Sequence, residues 1–241
     1  MRSSTVSHSP LSIVLLTHNS ERHLAEVLAS AAFADEVLIL DGGSTDRTLE
    51  IARHAGVRVE TQREWLGFGA QKQKAVELAR YDWVYVLDSD EVIPPPLRAE
   101  ILRILDAPTY AGYTVPRLNR FFGKALRHGG LYPDATLRLF DRRRGHFSDD
   151  PVHEKVIIDG PVGALSEPMT HYAYDNIEQF IAKQNRYSTL GAKPHRLKAL
   201  FNPLWTFFRM YVIKRGFLDG WHGYLVARLY SQYTFWKYVK P

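Results

Sequence analysis

Apolar runs that stop abruptly at small polar or acidic residues set the pattern of the first hundred positions. Leu11 to Leu16 ends at Thr17-His18-Asn19, Val37 to Leu40 ends at Asp41, and Trp83 to Leu87 ends at Asp88-Ser89-Asp90-Glu91. Near-continuous hydrophobic runs of this length are how strands buried in a parallel sheet read. Val57-Arg58-Val59-Glu60-Thr61 alternates instead and predicts a shorter strand. Helical patterns lie between the runs. One follows Asn19 or Ser20 as its cap, and one follows Gly42-Gly43-Ser44-Thr45, with Thr45 or Ser44 as the cap and Glu50 early in the helix. Gly67-Phe68-Gly69 opens a third that runs through Gln71, Lys72, Lys74, Val76 and Leu78, and a fourth follows Pro94-Pro95-Pro96. The alternation predicts an α/β domain, a parallel sheet with helices on both faces.

Open α/β sheets bind ligands just beyond the carboxyl ends of their strands, where the carboxylates of this chain collect. If Asp88-Ser89-Asp90 is extended, Asp88 and Asp90 project to the same side. Two hard oxygen ligands of that kind suit Mg²⁺ or Mn²⁺ held together with phosphate oxygens. Taken alone, Asp-x-Asp also fits a solvated acidic turn. The upstream turn Asp41-Gly42-Gly43-Ser44-Thr45-Asp46, at the end of a neighbouring run, favours a ligand crevice.

Thr17-His18-Asn19, Asp41 to Asp46, Gly67 to Lys74 and Asp88-Ser89-Asp90 resemble, in order and spacing, the nucleotide-sugar half of the family 2 inverting glycosyltransferases. The resemblance implies the GT-A fold and covers nearly the whole chain from Leu11 onward. Leu131-Tyr132-Pro133-Asp134, Leu137 to Phe140, Val152-His153-Glu154 and Gly216 to Gly220 are similar to a narrower branch that includes the lipopolysaccharide core β-1,4-glucosyltransferases. Many family members carry two adjacent acids where this chain has Asp41-Gly42, so only Asp41 corresponds to the carboxylate that contacts the base. The resemblance implies a UDP-sugar donor bound by Thr17, Asn19, Asp41, Lys72, Asp88 and Ser89. It also implies a divalent ion on Asp90, with Asp88 as a second ligand or a ribose contact. His171, in Thr170-His171-Tyr172, is either a third metal ligand or a structural histidine. Asp46 either belongs to that site or caps the turn.

The middle segment, 111–185, is expected to carry the acceptor side, after a nucleotide-sugar half over 1–110. Strand-like pieces are Gly112 to Arg117, Thr136 to Phe140 and Val152 to Ile158. Inverting transfer to a hydroxyl needs a general base. Glu154 occupies the position where family members place the catalytic carboxylate. Asp149 and Asp150 lie close by in sequence, and the alternative for Glu154 is a structural pair with a cation such as Arg138. Arg142-Arg143-Arg144 reads as a solvated hairpin tip or as a contact for an anionic acceptor. Lys72 reads as a donor contact or a solvated helix residue.

Composition bounds the rest. With 241 residues, 45% of them hydrophobic, one sizeable domain with an appended element is expected. Without cysteine there are no disulfides and no thiolate metal sites. Met1 to Pro10 lacks the apolar core of a signal peptide, and no run reaches the ~18–20 apolar residues of a spanning helix, so a cytoplasmic protein is expected. The net charge of +5 is uneven: residues 186–241 hold ten Lys/Arg against the single acid Asp219, and fourteen of the thirty aromatics. Asn202 and Pro203 are expected to start a helix, and a second is expected over about Gly220 to Tyr238. Basic residues among Trp, Tyr and Phe describe a helical extension, 186–241, lying on an anionic membrane surface, unless the aromatics simply pack inward. Nucleic-acid binding is disfavoured, because the cations are scattered among large apolar residues and the acidic turns would repel phosphate. No Gly-x-x-x-x-Gly-Lys-Ser/Thr motif supports a kinase or GTPase.

The expectation is a metal-dependent inverting transferase at the cytoplasmic face of the inner membrane, moving a hexose (glucose by resemblance) to a glycolipid of the lipopolysaccharide inner core. The alternatives are a polyprenyl-phosphate glycan or protein acceptor, and a non-catalytic nucleotide-sugar-binding membrane scaffold.

Overall fold

The computed structural model describes residues 8–148 and 154–241. The chain divides into two units, one of residues 1–116 and 135–170, the other of residues 117–134 and 171–241. These bounds differ from the division by role expected at 110 and 185. Residue 185 falls inside a helix, and 117–134 groups with the C-terminal helices.

In chain order the elements begin β1 (Leu11–Thr17), α1 (Glu21–Ala31), β2 (Glu36–Asp41), α2 (Thr48–His54), β3 (Arg58–Thr61) and α3 (Phe68–Leu78). Next come β4 (Trp83–Asp88), β5 (Glu91–Val92), α4 (Pro95–Asp106), β6 (Gly112–Val115), β7 (Arg117–Phe121) and β8 (Lys124–Ala125). Then follow β9 (Thr136–Asp141), β10 (Gly145–Phe147), β11 (Val156–Ile158), β12 (Val162–Ala164) and β13 (Met169–Tyr174). The helices α5 (Ile177–Leu190), α6 (Arg196–Phe208) and α7 (Gly220–Val239) close the chain, with a π turn at Arg209–Ile213 and a 3₁₀ turn at Gly216–Asp219 between the last two.

The first unit is built on a seven-stranded sheet in the order β12-β6-β9-β4-β1-β2-β3. Its four central and edge strands β4, β1, β2 and β3 are parallel, as the apolar runs predict, whereas β9 pairs antiparallel with both β4 and β6. The sheet is therefore mixed. Both faces are covered. Ile13, Leu15, Ile39, Tyr85 and Leu87 pack with Leu24 and Val27 of α1 and Leu97 and Ile101 of α4. Val14, Leu38, Leu40, Val84 and Val86 face the other way, against Ala75 and Val76 of α3. A one-residue slip would exchange these faces. Each fully buried aliphatic side chain contributes roughly 1.5–3 kcal/mol, so the register is strongly set. That register puts Leu16 beside Asp88 and Thr17 beside Asp41. The polar ends of three parallel strands thus share one edge.

In the second unit β7 and β8 form a hairpin whose two turn residues, Phe122 and Gly123, have φ of 53° and 83°. Positive φ at both positions is the geometry that matches the twist of a tight hairpin. Its core joins Phe121, Tyr174, Phe180, Met210, Val226 and Ala227. α6 starts at Arg196, with His195 at its N-cap, so Asn202 and Pro203 lie inside the helix rather than at its start. Arg196 to Phe201 already carry helical spacing, which outweighs the usual first-turn preference of proline. Proline cannot donate a backbone bond, and the Ser231 hydroxyl donates to the Pro203 carbonyl at 2.8 Å from α7. The loop before α7 is tied by Asp219, which accepts from the amides of Arg127 and His128 at 3.1 and 2.8 Å. Gly223 is required there: a Cβ would sit 1.9 Å from the Gly216 carbonyl oxygen.

Candidate active site

Two clusters stand at the carboxyl edge of the sheet. The first is the turn after β2. Asp41 is fully buried, and its carboxylate accepts four hydrogen bonds: from the Thr17 and Ser44 hydroxyls at 2.8 and 2.6 Å, and from the Gly43 and Ser44 amides at 2.8 Å each. Burial alone would push this carboxyl up, but the hydrogen bonds from Ser44, Thr17 and Gly43 outweigh it and hold it below the usual aspartate value. An ionised carboxylate offers about four lone-pair directions, and all are used. The base contact expected of Asp41 would therefore require one of these donors to leave. Asn19, at φ 50°, accepts from the Thr45 amide at 2.9 Å and donates its own amide to Ser44 at 2.9 Å. Thr17 is buried against Asp41, while Asn19 is exposed at the rim.

Asp46 resolves the capping question differently from expectation. Its two oxygens accept from the Glu21 amide, in the first turn of α1, at 3.1 Å and from the Thr48 amide, at the start of α2, at 3.0 Å. Neither Ser20 nor Arg47, at the two cap positions, makes a side-chain cap bond. One carboxylate thus serves two helix N-termini, where negative charge is favoured. Asp46 is architectural.

The second cluster follows β4. Asp88 bridges two cations: Lys72 Nζ lies 3.2 Å from one oxygen, and Arg138 Nη2 donates to the other at 2.6 Å. Arg138 also donates to Glu91. Glu91 is fully buried, and its other oxygen accepts from the Asp88 amide at 3.1 Å, closing the acidic turn. Burial raises the Asp88 carboxyl, yet Arg138 and Lys72 more than reverse this and hold it well below the usual range. Burial disfavours the Arg138 charge, and Asp88 and Glu91 overcome that. Lys72 reaches Glu154 as well, at 3.6 Å. The structure thus gathers Lys72, Asp88 and Glu154, residues far apart in the chain. Glu154 pairs with Lys72 rather than with Arg138.

Ser89 and Asp90 form a turn rather than a continuation of the strand, so the same-side argument for Asp88 and Asp90 does not hold. Asp150 and His153 lie outside the described residues. His171 falls in the second unit, where its Nδ1 is 2.6 Å from Asn119 Oδ1. Among the described residues no group of three or more His, Cys, Asp or Glu is gathered to hold a metal. Mg²⁺ with a nucleotide commonly takes one or two carboxylates and completes its shell with phosphate oxygens. The partly exposed Asp90 carboxylate, at the strand-end turn, has the donor chemistry for that arrangement. Asp88 fits less well as a direct ligand, because two cations already flank it.

Sequence reasoning passed over Arg138 and Glu91 as site residues. Their signals were present: a lone cation in Leu137-Arg138-Leu139-Phe140, and a third acid after Asp88 and Asp90. The partnership itself spans 50 residues and belongs to tertiary structure.

A mixed sheet with polar turns at its carboxyl edge and helices on both faces is the GT-A class of α/β domain. The model of the glycosyl transferase family 2 matches residues 12–158, and the chain belongs to that family. It is 29% identical, over 94% of its own length and 89% of the relative's, to the lipopolysaccharide core biosynthesis glycosyltransferase LpsC of Rhizobium meliloti. An uncharacterized glycosyltransferase of Rickettsia bellii is 26% identical over 95% of this chain and 85% of its own. Among solved structures, S. aureus TarS superposes with a TM-score of 0.50 at 17% identity, covering 86% of this chain but only 45% of TarS. TarS 1-349 in complex with UDP gives a TM-score of 0.50 at 18% identity, over 86% of this chain and 74% of that one.

Proposed function

We propose that the protein transfers a hexose, with inversion, from a UDP-sugar to a glycolipid acceptor of the lipopolysaccharide core. The observation that carries this reading is the cluster of Asp88, Lys72 and Glu154 at the carboxyl edge of the sheet, where open α/β sheets bind their ligands. Glu154 takes the proton of the acceptor hydroxyl as that oxygen attacks the anomeric carbon from the face opposite the leaving UDP. Lys72 keeps Glu154 and Asp88 in one charged group, and Arg138 with Glu91 fixes the turn that presents Asp90. A Mg²⁺ or Mn²⁺ held by Asp90 would supply Lewis-acid neutralisation of the departing diphosphate. Glucose and the inner-core acceptor follow from the branch resemblance, and the relative named for lipopolysaccharide core biosynthesis supports the acceptor class. Asp90→Asn is expected to abolish transfer and to weaken UDP binding mainly when Mn²⁺ is present. Equal Mn²⁺-dependent UDP affinity in variant and wild type would sink the metal assignment.

The glycolipid reading places the protein on an anionic membrane surface. Leu197, Leu200, Phe201, Leu204, Trp205 and Phe208 recur at helical spacing on α6 and are all exposed, Leu204 by 64%. Arg196, Lys198, Arg209 and Arg215 lie on or beside the same helix. No helix among the described residues is long and apolar enough to cross a membrane, so an interfacial pose is the one proposed. Vesicles containing anionic lipid should sediment the protein, less so at high salt, since each surface-proximal cation contributes about 1 kcal/mol. Leu204→Ser with Trp205→Ser should reduce binding and leave UDP affinity unchanged. Indifference of the wild-type protein to such vesicles would end the membrane reading.

A further inference from the structure

The second unit contains a cavity of about 550 Å³ whose lining differs in character from the donor edge. Strand β7, the segment before β9, the end of β13 and helix α5 supply its walls. Asn119, only 7% exposed, organises one side. Its amide nitrogen donates to the Leu131 carbonyl at 3.1 Å and to Asp134 at 3.3 Å, which turns its oxygen toward His171 Nδ1. An amide oxygen only accepts, so that histidine nitrogen carries the proton. Among the described residues Asp134 is the one acid of the lining, and Arg117 binds it through Nε at 3.0 Å and Nη2 at 2.5 Å.

That pairing leaves two further cations of the lining without an acid beside them among the described residues. Lys183 and Lys214 both line it. Lys183 Nζ stands 5.2 Å over the Tyr174 ring, and Lys214 lays its stem against Gly130. Neither ammonium has a carboxylate partner among the described residues. Two such cations in a concave, tyrosine-walled site, together with fixed hydrogen-bonding groups, have the make-up of a small-molecule pocket selective for an anion. Tyr132 and Tyr174 are among the aromatic residues of the lining.

We propose that this cavity is a subsite for an anionic saccharide, with Lys183 and Lys214 meeting its phosphate or carboxylate group and Asn119 and Asp134 reading its hydroxyls. The proposal rests on the transferase reading and deepens it by naming a charged sugar as part of the acceptor class. The two readings fail separately, because UDP-sugar consumption reports on the first unit's donor edge whatever this cavity binds.

The test is saturation-transfer NMR and calorimetry on the full chain with mannose 6-phosphate, glucuronate, mannose and inorganic phosphate as probes. The charged sugars are expected to bind at least about tenfold more tightly than mannose, the scale of one or two charge-assisted hydrogen bonds. Binding of only one of them identifies the anionic group and still supports the proposal. The double variant Lys183→Met, Lys214→Met keeps both stems and removes both charges. It should lose about tenfold or more in affinity for the charged sugars and keep its affinity for UDP. Salt titration of the wild type gives a second readout independent of any variant's folding: charged-sugar binding should weaken with ionic strength, and mannose binding should not. Equal binding of mannose, salt-insensitive binding, or an unaffected double variant would overturn the proposal. So would inorganic phosphate binding as tightly as mannose 6-phosphate.

Discussion

Glu154→Gln is expected to bind UDP as the wild type does and to transfer sugar about 10²-fold or more slowly, the usual scale for losing a general base. Glutamine keeps the size of the side chain and an oxygen that can still accept from Lys72, which lies 3.6 Å from the carboxylate. The charged group around Asp88 therefore stays assembled, and the variant reports on proton transfer rather than on site collapse. Steady-state rates with separately measured donor affinity check it. If Glu154→Gln remains active while Asp150→Asn is dead, the base is Asp150.

Arg138→Met should be the most destabilising single change at the site. Arg138 is 5% exposed and Glu91 is 0% exposed, so removing the guanidinium strands a buried carboxylate and strips Asp88 of one partner. Breaking a buried pair in this way costs roughly 3–5 kcal/mol, or a fall of roughly 6–20 °C in melting temperature for a chain of this size. The double variant Arg138→Met, Glu91→Gln removes both charges and should recover a large part of the loss, because the penalty comes mostly from the unpaired charge. A single variant as stable as the wild type would show that the network contributes little to folding.

The parallel heart of the fold was legible because buried strands write themselves as apolar runs, and because those runs ended in polar turns with helical patterns between them. The antiparallel β9 was not: Thr136 to Phe140 looks like any short strand, and its direction depends on where β6 and β4 lie. The polar residues of the carboxyl edge were visible in the sequence, but their wiring was not. Asp41 was read as a base contact from the resemblance, and Asp46 as a site residue or a cap of the turn. Only the folded geometry shows Asp41 saturated by four donors and Asp46 shared between two helices. Lys72, Asp88 and Glu154 meet across 16 and 82 positions of chain, beyond any local pattern. Pro203 misled because its local preference for a first turn gave way to a helical stripe that begins seven residues earlier.

The central claim, that this edge of the sheet handles a UDP-sugar, is tested most directly by offering the purified protein UDP-glucose, UDP-galactose and UDP-N-acetylglucosamine with Mn²⁺. Melting temperature and release of UDP are the two quantities to follow. A donor at 100 times its Kd stabilises the fold by about 2.7 kcal/mol, so at least one of the three should raise the melting temperature by several degrees and be slowly hydrolysed. A scaffold would bind without releasing UDP. No stabilisation and no UDP release with any of the three would contradict the account.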